Sequence, residues 1–189
     1  RTQRFDRECE RLTFEHYVLQ VEHLVDRRAF LEREITRVSE TTPYAASVGK
    51  LTCLRGVSVL TAMVLLSEIH DFRRFQSPRQ LMAFLGLVPS EYSSGGKEKR
   101  GGITKTGNTH ARRVLVEAAW SYRHRPAFGP RAREALRGQP AGVAEYARKS
   151  QLRLHRRFAR LVGRGKRSQV AVTAVARELC GFVWGLMAA

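Results

Sequence analysis

Residues 45–69, which read AASVGKLTCLRGVSVLTAMVLLSEI, decide the fold. Two apolar segments of helical pattern flank the tight turn Arg55-Gly56-Val57-Ser58. The pattern predicts a helix-hairpin-helix over 45–70, in which the turn and the N-terminus of the second helix expose backbone N–H groups to a nucleic-acid phosphate. The candidate phosphate contacts in this unit are Arg55, Gly56 and Ser58. A purely structural helical hairpin stays open, because Ser58 stands where such motifs usually have a second glycine.

Downstream, the apolar periodicity disappears between Pro89 and Asn108, and serines, glycines and cations replace it. We expect a long functional loop over 89–108, because structureless segments of this length are uncommon in compact chains. Glycines let the backbone approach a phosphate, and cations offset charge on phosphoryl oxygens. The candidate binding residues here are Gly95, Gly96, Lys97, Lys99, Arg100 and Lys105. The loop offers no general base, so its own chemistry favours phosphate binding over catalysis.

Helices are predicted to follow this loop. Asn108 is the expected N-cap of an apolar-striped helix, which places Asn108, Arg112 and Arg113 near its positive end. A connection rich in Pro, Gly and Arg, with one short helix, occupies 127–142. Two helices then span 143–187, and the first is heavily basic. We expect it to contact a nucleic-acid backbone through residues such as Arg153 and Arg157, with a solvated charged face as the alternative.

Upstream, a heptad pattern runs from Phe14 to Val38, with apolar residues at seven of eight core positions. It predicts a coiled-coil arm over 1–40 that pairs with another helix, or a helix that lies on its own domain. Thr41-Thr42-Pro43 ends the arm, and 41–189 forms the second domain. The expected fold class is all-α: a long coiled-coil-like helix, then a compact helical domain. Since the chain starts with Arg1 inside a helical pattern, we expect it to continue something longer.

The charge balance indicates the partner class. With 34 Lys and Arg against 17 Asp and Glu, the net charge is +17, and a hydrophobic content of 43% is too high for a disordered tail. A folded cationic protein favours nucleic acid. A membrane is the competing partner, but no signal peptide is visible, and Arg177 and Glu178 interrupt the apolar run 170–187, which we interpret as a buried helix.

No metal site is expected in this chain. The cysteines Cys9, Cys53 and Cys180 lack metal-ligand or disulfide spacing, so we interpret them as packing residues in a reducing cytoplasm. Glu68 and Asp71 lie three residues apart but are interpreted as exposed charges beside Arg73 and Arg74. No zinc, nucleotide-glycine or Ser-His-Asp pattern is visible.

Several motifs together resemble a known family: Arg55-Gly56-Val57-Ser58-Val59-Leu60-Thr61-Ala62, then Phe72 to Phe75, Leu85-Gly86-Leu87-Val88-Pro89, Tyr92-Ser93-Ser94-Gly95-Gly96-Lys97, and Gly102-Ile103-Thr104-Lys105-Thr106-Gly107-Asn108. They are similar to the C-terminal transposase domain of the DEDD-type insertion-sequence transposases, the bridge-RNA-guided serine recombinases of insertion-sequence 110/116/902 type. The resemblance covers Lys50 to Arg125.

The resemblance implies a function. Family members join an N-terminal RNase-H-like domain with acidic metal ligands, a coiled coil and this serine-bearing domain. By that likeness Ser94, with Ser93 as fallback, attacks a DNA phosphate, and Mg²⁺ held by the N-terminal domain assists. The implied partners are DNA, a structured guide RNA and a second copy of the chain, in the bacterial cytoplasm near the nucleoid. This chain alone would be inactive, and a non-catalytic nucleic-acid-binding scaffold is the alternative.

Overall fold

The computed structural model describes residues 3–94 and 97–188, and the prediction of an all-α fold is confirmed there. The described residues form eight α-helices, two short 3₁₀ helices and one two-stranded sheet. The helices are α1 (Glu8–Ser39), α2 (Ala45–Thr52), α3 (Val59–Ile69), α4 (Pro78–Phe84), α5 (Thr109–Ala119), α6 (Pro130–Leu136), α7 (Ala141–Gly163) and α8 (Ser168–Met187). Strands β1 (Pro89–Ser94) and β2 (Lys97–Ile103) lie between α4 and α5, and the 3₁₀ helices are Phe72–Arg74 and Trp120–Arg123.

Helix α8 is the centre of the core. It packs against α4, α5 and α7, and its buried face includes Val172, Val175, Leu179 and Val183. By length and composition alone α8 could cross a membrane. Its apolar face is instead covered by the other helices, because burying that face removes apolar surface from water. The interpretation of this run as a buried helix is confirmed.

Helix α1 is a long arm. Its 32 residues span about 48 Å at 1.5 Å per residue. Ser39, at its C-terminal end, is its one buried residue, whereas Tyr17, Leu24 and Leu31 are between 48% and 66% exposed. The arm ends before Pro43, as predicted. Its pairing with another helix stays a prediction, although the exposed apolar side chains are what such pairing would cover.

The predicted helical hairpin is present as α2 and α3. Ser58 begins α3 as its N-cap, and its Oγ accepts a hydrogen bond from the Thr61 backbone N–H at 3.1 Å. Ser58 therefore satisfies one of the N–H groups that a helix start leaves without an intrahelical partner.

The predicted loop over 89–108 is wrong in part. Residues 89–94 and 97–103 form an antiparallel β-hairpin, with Tyr92 opposite Lys99 and Ser94 opposite Lys97. An irregularity in the register lies between Pro89 and Glu91. The hairpin escapes prediction because its strands consist mostly of polar residues and glycine, so no alternation of apolar residues marks them in the sequence. Backbone pairing alone defines the strands.

The cysteines need one correction. Cys180 is fully buried in α8 and Cys53 is partly buried, as expected of packing residues. Cys9 is exposed on α1, so it is not a packing residue, because at that position the arm has no covering layer. The short helix predicted within 127–142 is present as α6.

Candidate functional site

The hairpin stands on a base formed by residues 84–89 and 103–108. Three backbone hydrogen bonds join the two segments: from Thr104 N to Val88 O at 2.9 Å, from Lys105 N to Gly86 O at 3.1 Å and from Asn108 N to Phe84 O at 3.1 Å. Leu85 and Leu87 in the first segment are fully buried in the core. The hairpin base is therefore fixed to the helical core on both strands.

Two glycines allow this close crossing. Gly86 and Gly107 have φ values of +63° and +74°. A Cβ on Gly86 would lie 2.0 Å from Thr106 O, and one on Gly107 would lie 2.0 Å from Phe84 O. Each position thus requires glycine twice, because of its left-handed backbone and because of the neighbouring carbonyl.

Arg112 holds the hairpin base together. Its Nη1 donates to Leu85 O at 2.9 Å and to Thr106 O at 3.0 Å, and its Nη2 donates to Thr109 Oγ1 at 3.2 Å. The guanidinium thereby joins the two segments of the hairpin base to α5. Arg112 was predicted to bind nucleic acid, and the structure gives it a positioning role in the base.

Asn108 and Glu68 connect the base to α3. The predicted N-cap is present: Asn108 Oδ1 accepts from Ala111 N at 2.8 Å. Asn108 Nδ2 also donates to Glu68 Oε2 at 2.7 Å, and His110 Nδ1 lies 2.8 Å from Glu68 Oε1. The hydrogen bonds from Asn108 and His110 lower the pKa of Glu68. The sequence predicted Glu68 as an exposed charge beside Arg73 and Arg74, since partners 40 and 42 residues away leave no local signal.

The tip of the hairpin carries the serines. Ser94 is the last residue of β1 and pairs with Lys97, the first residue of β2. Gly95 and Gly96 lie outside the described residues, as do the side chains of residues 92–100, among them Ser93, Lys97, Lys99 and Arg100. The backbone alone places the predicted nucleophile and three predicted cations on one hairpin.

The turn between α2 and α3 is packed against other elements. Arg55 Nη1 donates to Arg125 O at 2.9 Å, and a Cβ on Gly56 would lie 2.2 Å from Ala118 O. These contacts give both residues packing roles. Their phosphate-binding role stays a prediction.

A basic stripe lies on α7, made of Lys149, Arg153, Arg156, Arg157 and Arg160. Together with Leu152 and Glu178 these residues line an open groove of about 510 Å³. Arg153 pairs with Glu178, and Arg157 Nε lies 3.8 Å from Glu178 Oε2. In the described part of the chain, Lys149, Arg156 and Arg160 form no ion pair.

The α7 stripe extends the predicted set. Its spacing of three and four residues places all five cations on one helical face about 16 Å long. Lys149, Arg156 and Arg160 belong to the basic helix that the sequence predicted to contact a nucleic-acid backbone, and that contact stays a prediction. The partner Glu178 belongs to another helix and could not be assigned from this spacing.

The remaining candidates are dispersed. Arg113 forms an exposed ion pair with Glu117 at 2.9 Å, and Lys105 lies in the hairpin base with a φ of +58°. Among the described residues, no group of three or more His, Cys, Asp or Glu side chains could hold a metal ion. The site therefore consists of a hairpin that is fixed at its base and a basic groove, and its described residues contain no metal-binding group.

Comparison with known proteins identifies relatives. Residues 49–135 match the profile of the Transposase IS116/IS110/IS902 family. The chain is 46% identical over 168 residues to a Sinorhizobium fredii protein that carries the name transposase y4qE, covering 87% of this chain and 43% of that protein. It is 34% identical over 165 residues to the transposase for insertion sequence element IS1533 of Leptospira borgpetersenii, covering 86% and 47%. The chain spans less than half the length of these relatives.

Proposed function

Since residues 49–135 of this chain belong to the IS116/IS110/IS902 transposase family, we propose that the chain is the nucleic-acid-binding part of a DNA transposase and supplies its serine nucleophile. Ser94 is the nucleophile, and Ser93 is the fallback. The hairpin and the α7 stripe bind the sugar–phosphate backbone of DNA and of a structured guide RNA.

The observation that supports this proposal best is the hairpin on its base. Catalysis requires a nucleophile held in a fixed geometry. Three backbone hydrogen bonds and the Arg112 contacts fix the start and end of the hairpin to the core. Ser94 is the last residue of the first strand, directly before the tip. The base therefore supports the strand that ends in Ser94, as a positioned nucleophile requires.

The proposed step forms one bond and breaks one. Ser94 Oγ attacks a DNA phosphorus atom, which forms an Oγ–P ester and breaks the bond from phosphorus to one sugar oxygen. The Ser94 proton leaves to a base, and the sugar oxygen departs and takes up a proton. Rejoining reverses this step with the hydroxyl of another strand. Cations of the hairpin would offset charge on the phosphoryl oxygens.

The rest of the active site lies outside the described residues of this chain. Because those residues include no metal-ligand cluster, they do not fit Mg²⁺, and its ligands would come from an acidic domain elsewhere in the full-length protein. This chain would then be inactive alone. The exposed apolar side chains of α1 would pair two copies of the protein through the arm.

Activity of the full-length protein containing this chain tests the proposal. Strand exchange is measured with DNA, guide RNA and magnesium present. Ser94→Ala should abolish product, whereas Ser93→Ala, the matched control one residue earlier, should retain it. Full activity of Ser94→Ala with loss of activity in Ser93→Ala would assign the nucleophile to Ser93. Full activity of the double variant would instead support the scaffold alternative, in which this chain only binds nucleic acid.

A further inference from the structure

A second cleft lies between the α2–α3 turn and the segment that leads into α6. It has a volume of about 780 Å³, which is in the range of ligand pockets of roughly 300–1,000 Å³. The turn residues 52–59 form one wall, and residues 127–136 form the other. Gln151 of α7 also lines it. This cleft is lined by none of the α7 stripe residues and by no residue of the hairpin.

An aromatic ring lies at this cleft. Phe128 is 38% exposed although it is a large apolar side chain. The guanidinium carbon of Arg148 lies 5.8 Å from the centroid of the Phe128 ring. An exposed ring beside a cation is a stacking surface for a nucleobase, since bases stack on aromatic side chains and guanidinium planes.

A buried amide also lines the cleft. Gln151 is only 4% exposed, and its Nε2 donates to Ala127 O at 3.1 Å. Its Oε1 accepts no hydrogen bond from the described residues. This oxygen is not among the buried side-chain atoms without a partner in the described residues, so it reaches solvent and is open to a donor. The amino group of an adenine or cytosine is a suitable donor to such an oxygen.

Two features of the cleft can receive a phosphate: the start of α3, in the wall opposite Phe128, and Arg131, in the same wall as Phe128. Val59 at the start of α3 lines the cleft, and the first N–H groups of a helix have no intrahelical partner. Arg131 lines the cleft as well and forms no ion pair in the described part of the chain. The carboxylate of the wall, Glu134, is paired with Arg137 at 3.2 Å.

We propose that this cleft binds one unpaired nucleotide of a nucleic-acid strand, with its base on Phe128 and Gln151 and its phosphate at Arg131 and the start of α3. The proposal rests on the nucleic-acid role proposed above and adds a preference for flipped-out or unpaired bases. A bulge or loop nucleotide satisfies it in either RNA or DNA, because both offer the same base and phosphate chemistry.

Binding of a fluorescent bulge tests this cleft. The probe is a duplex with one bulged 2-aminopurine, made in DNA and in RNA, against the same duplex fully paired. Binding of the chain should quench the bulged 2-aminopurine. Phe128→Ala should remove the quenching and weaken bulge binding roughly five- to fifty-fold, with paired-duplex affinity unchanged. Phe128→Tyr should restore both signals, and Arg131→Ala should weaken bulge binding.

A control variant and the pattern of binding losses distinguish failure of the cleft proposal from failure of the proposed nucleic-acid role. Val170→Ala removes a more exposed apolar side chain from α8, 54% exposed and outside the cleft, and should change nothing. If Phe128→Ala weakened binding to the paired and the bulged duplex to the same extent, the cleft proposal alone would be overturned. Unchanged affinity for both duplexes would also overturn it. Failure of the unmodified chain to bind any of the duplexes would overturn the nucleic-acid role as well.

Discussion

Gly107 and Gly138 have nearly the same φ but different surroundings. Substitutions at the two positions therefore separate the cost of a left-handed backbone from the cost of a close contact. Gly107 and Gly138 have φ values of +74° and +73°. A Cβ on Gly107 would lie 2.0 Å from Phe84 O, whereas one on Gly138 would have no atom within 4 Å. Left-handed backbone alone costs an L-residue roughly 1–2 kcal/mol. Any additional loss of unfolding free energy on substitution of Gly107 therefore measures how closely the two segments of the hairpin base approach each other.

Alanine at these two positions should destabilise the chain unequally. We expect Gly138→Ala to lower the free energy of unfolding by about 1 kcal/mol and Gly107→Ala to lower it by about 2–5 kcal/mol, because a backbone carbonyl must also move. Urea unfolding of both variants measures the difference. Equal losses of unfolding free energy in the two variants would mean that the base has room for a side chain at Gly107 and that its two segments are not in close contact.

Glu68 should report on the contact between α3 and α5. Its pKa is lowered from the ordinary 4.5 by hydrogen bonds from Asn108 and His110. His110→Ala should therefore raise the pKa of Glu68, as measured by NMR titration of its carboxyl carbon. His23→Ala, on the exposed arm, should leave it unchanged. A Glu68 pKa at its ordinary value in the unmodified chain would contradict the observed contacts.

The direction of the pH effect follows from the same shift. Because the folded state holds Glu68 at a lower pKa than the unfolded state, its contribution to stability is present above the unfolded value and is lost as the pH falls through the folded one. Acidification below the ordinary 4.5 should weaken the contact of α3 with α5. Chemical denaturation across that range, compared with Glu68→Gln, measures the loss.

Individual residues were predictable where their signal was local. Asn108 stands directly before an apolar stripe and was assigned as an N-cap, which the structure confirms. Its contact with Glu68 was not predictable, since side chains 40 residues apart meet only through the packing of α3 on α5. Arg112 shows the same limit: its hydrogen bonds to Leu85 O and Thr106 O were not predictable from the sequence, and its contact with nucleic acid stays a prediction.

At the scale of elements, apolar periodicity predicted the helices and missed the hairpin. The segments assigned to α3 and α8 follow the helical repeat closely because each buries one face in the core. Strands β1 and β2 contain mostly polar residues and glycine, and their signal is the backbone pairing of residues 89–94 with 97–103. Such pairing leaves no trace in hydrophobicity.

The α7 stripe should set the salt dependence of nucleic-acid binding. Each phosphate neutralised on duplex DNA contributes about −0.9 to the slope of log K against log salt. The triple variant Lys149→Ala, Arg156→Ala and Arg160→Ala should reduce the magnitude of that slope by about two to three. Fluorescence anisotropy of a labelled duplex at several salt concentrations measures it.

A charge-matched variant controls for net charge. Arg7→Ala, Arg27→Ala and Arg33→Ala remove three cations from the arm, where all three residues are exposed. This variant should keep the slope of the unmodified chain. If both triple variants lowered the slope equally, binding would follow the net charge of +17 and the stripe would not be a site.

At the scale of the whole molecule, the chain combines an exposed arm, a helical core and a hairpin whose base is fixed to that core. The resemblance in its motifs predicted the transposase family, and residues 49–135 confirm it. The fold alone could not indicate the function, because a helical core with a basic groove serves many roles. The chain covers 43% and 47% of the two relatives named above, so the activity of the full-length protein is a proposal.

Detection of a covalent protein–DNA adduct is the most direct test of Ser94 as the nucleophile. The full-length protein that contains this chain is incubated with DNA, guide RNA and magnesium, denatured, and digested, and the DNA-linked peptide is sequenced by mass spectrometry. We predict an adduct on Ser94 that Ser94→Ala abolishes and Ser93→Ala preserves. An adduct that persists in Ser94→Ala, or that maps to a residue outside the hairpin, would contradict it.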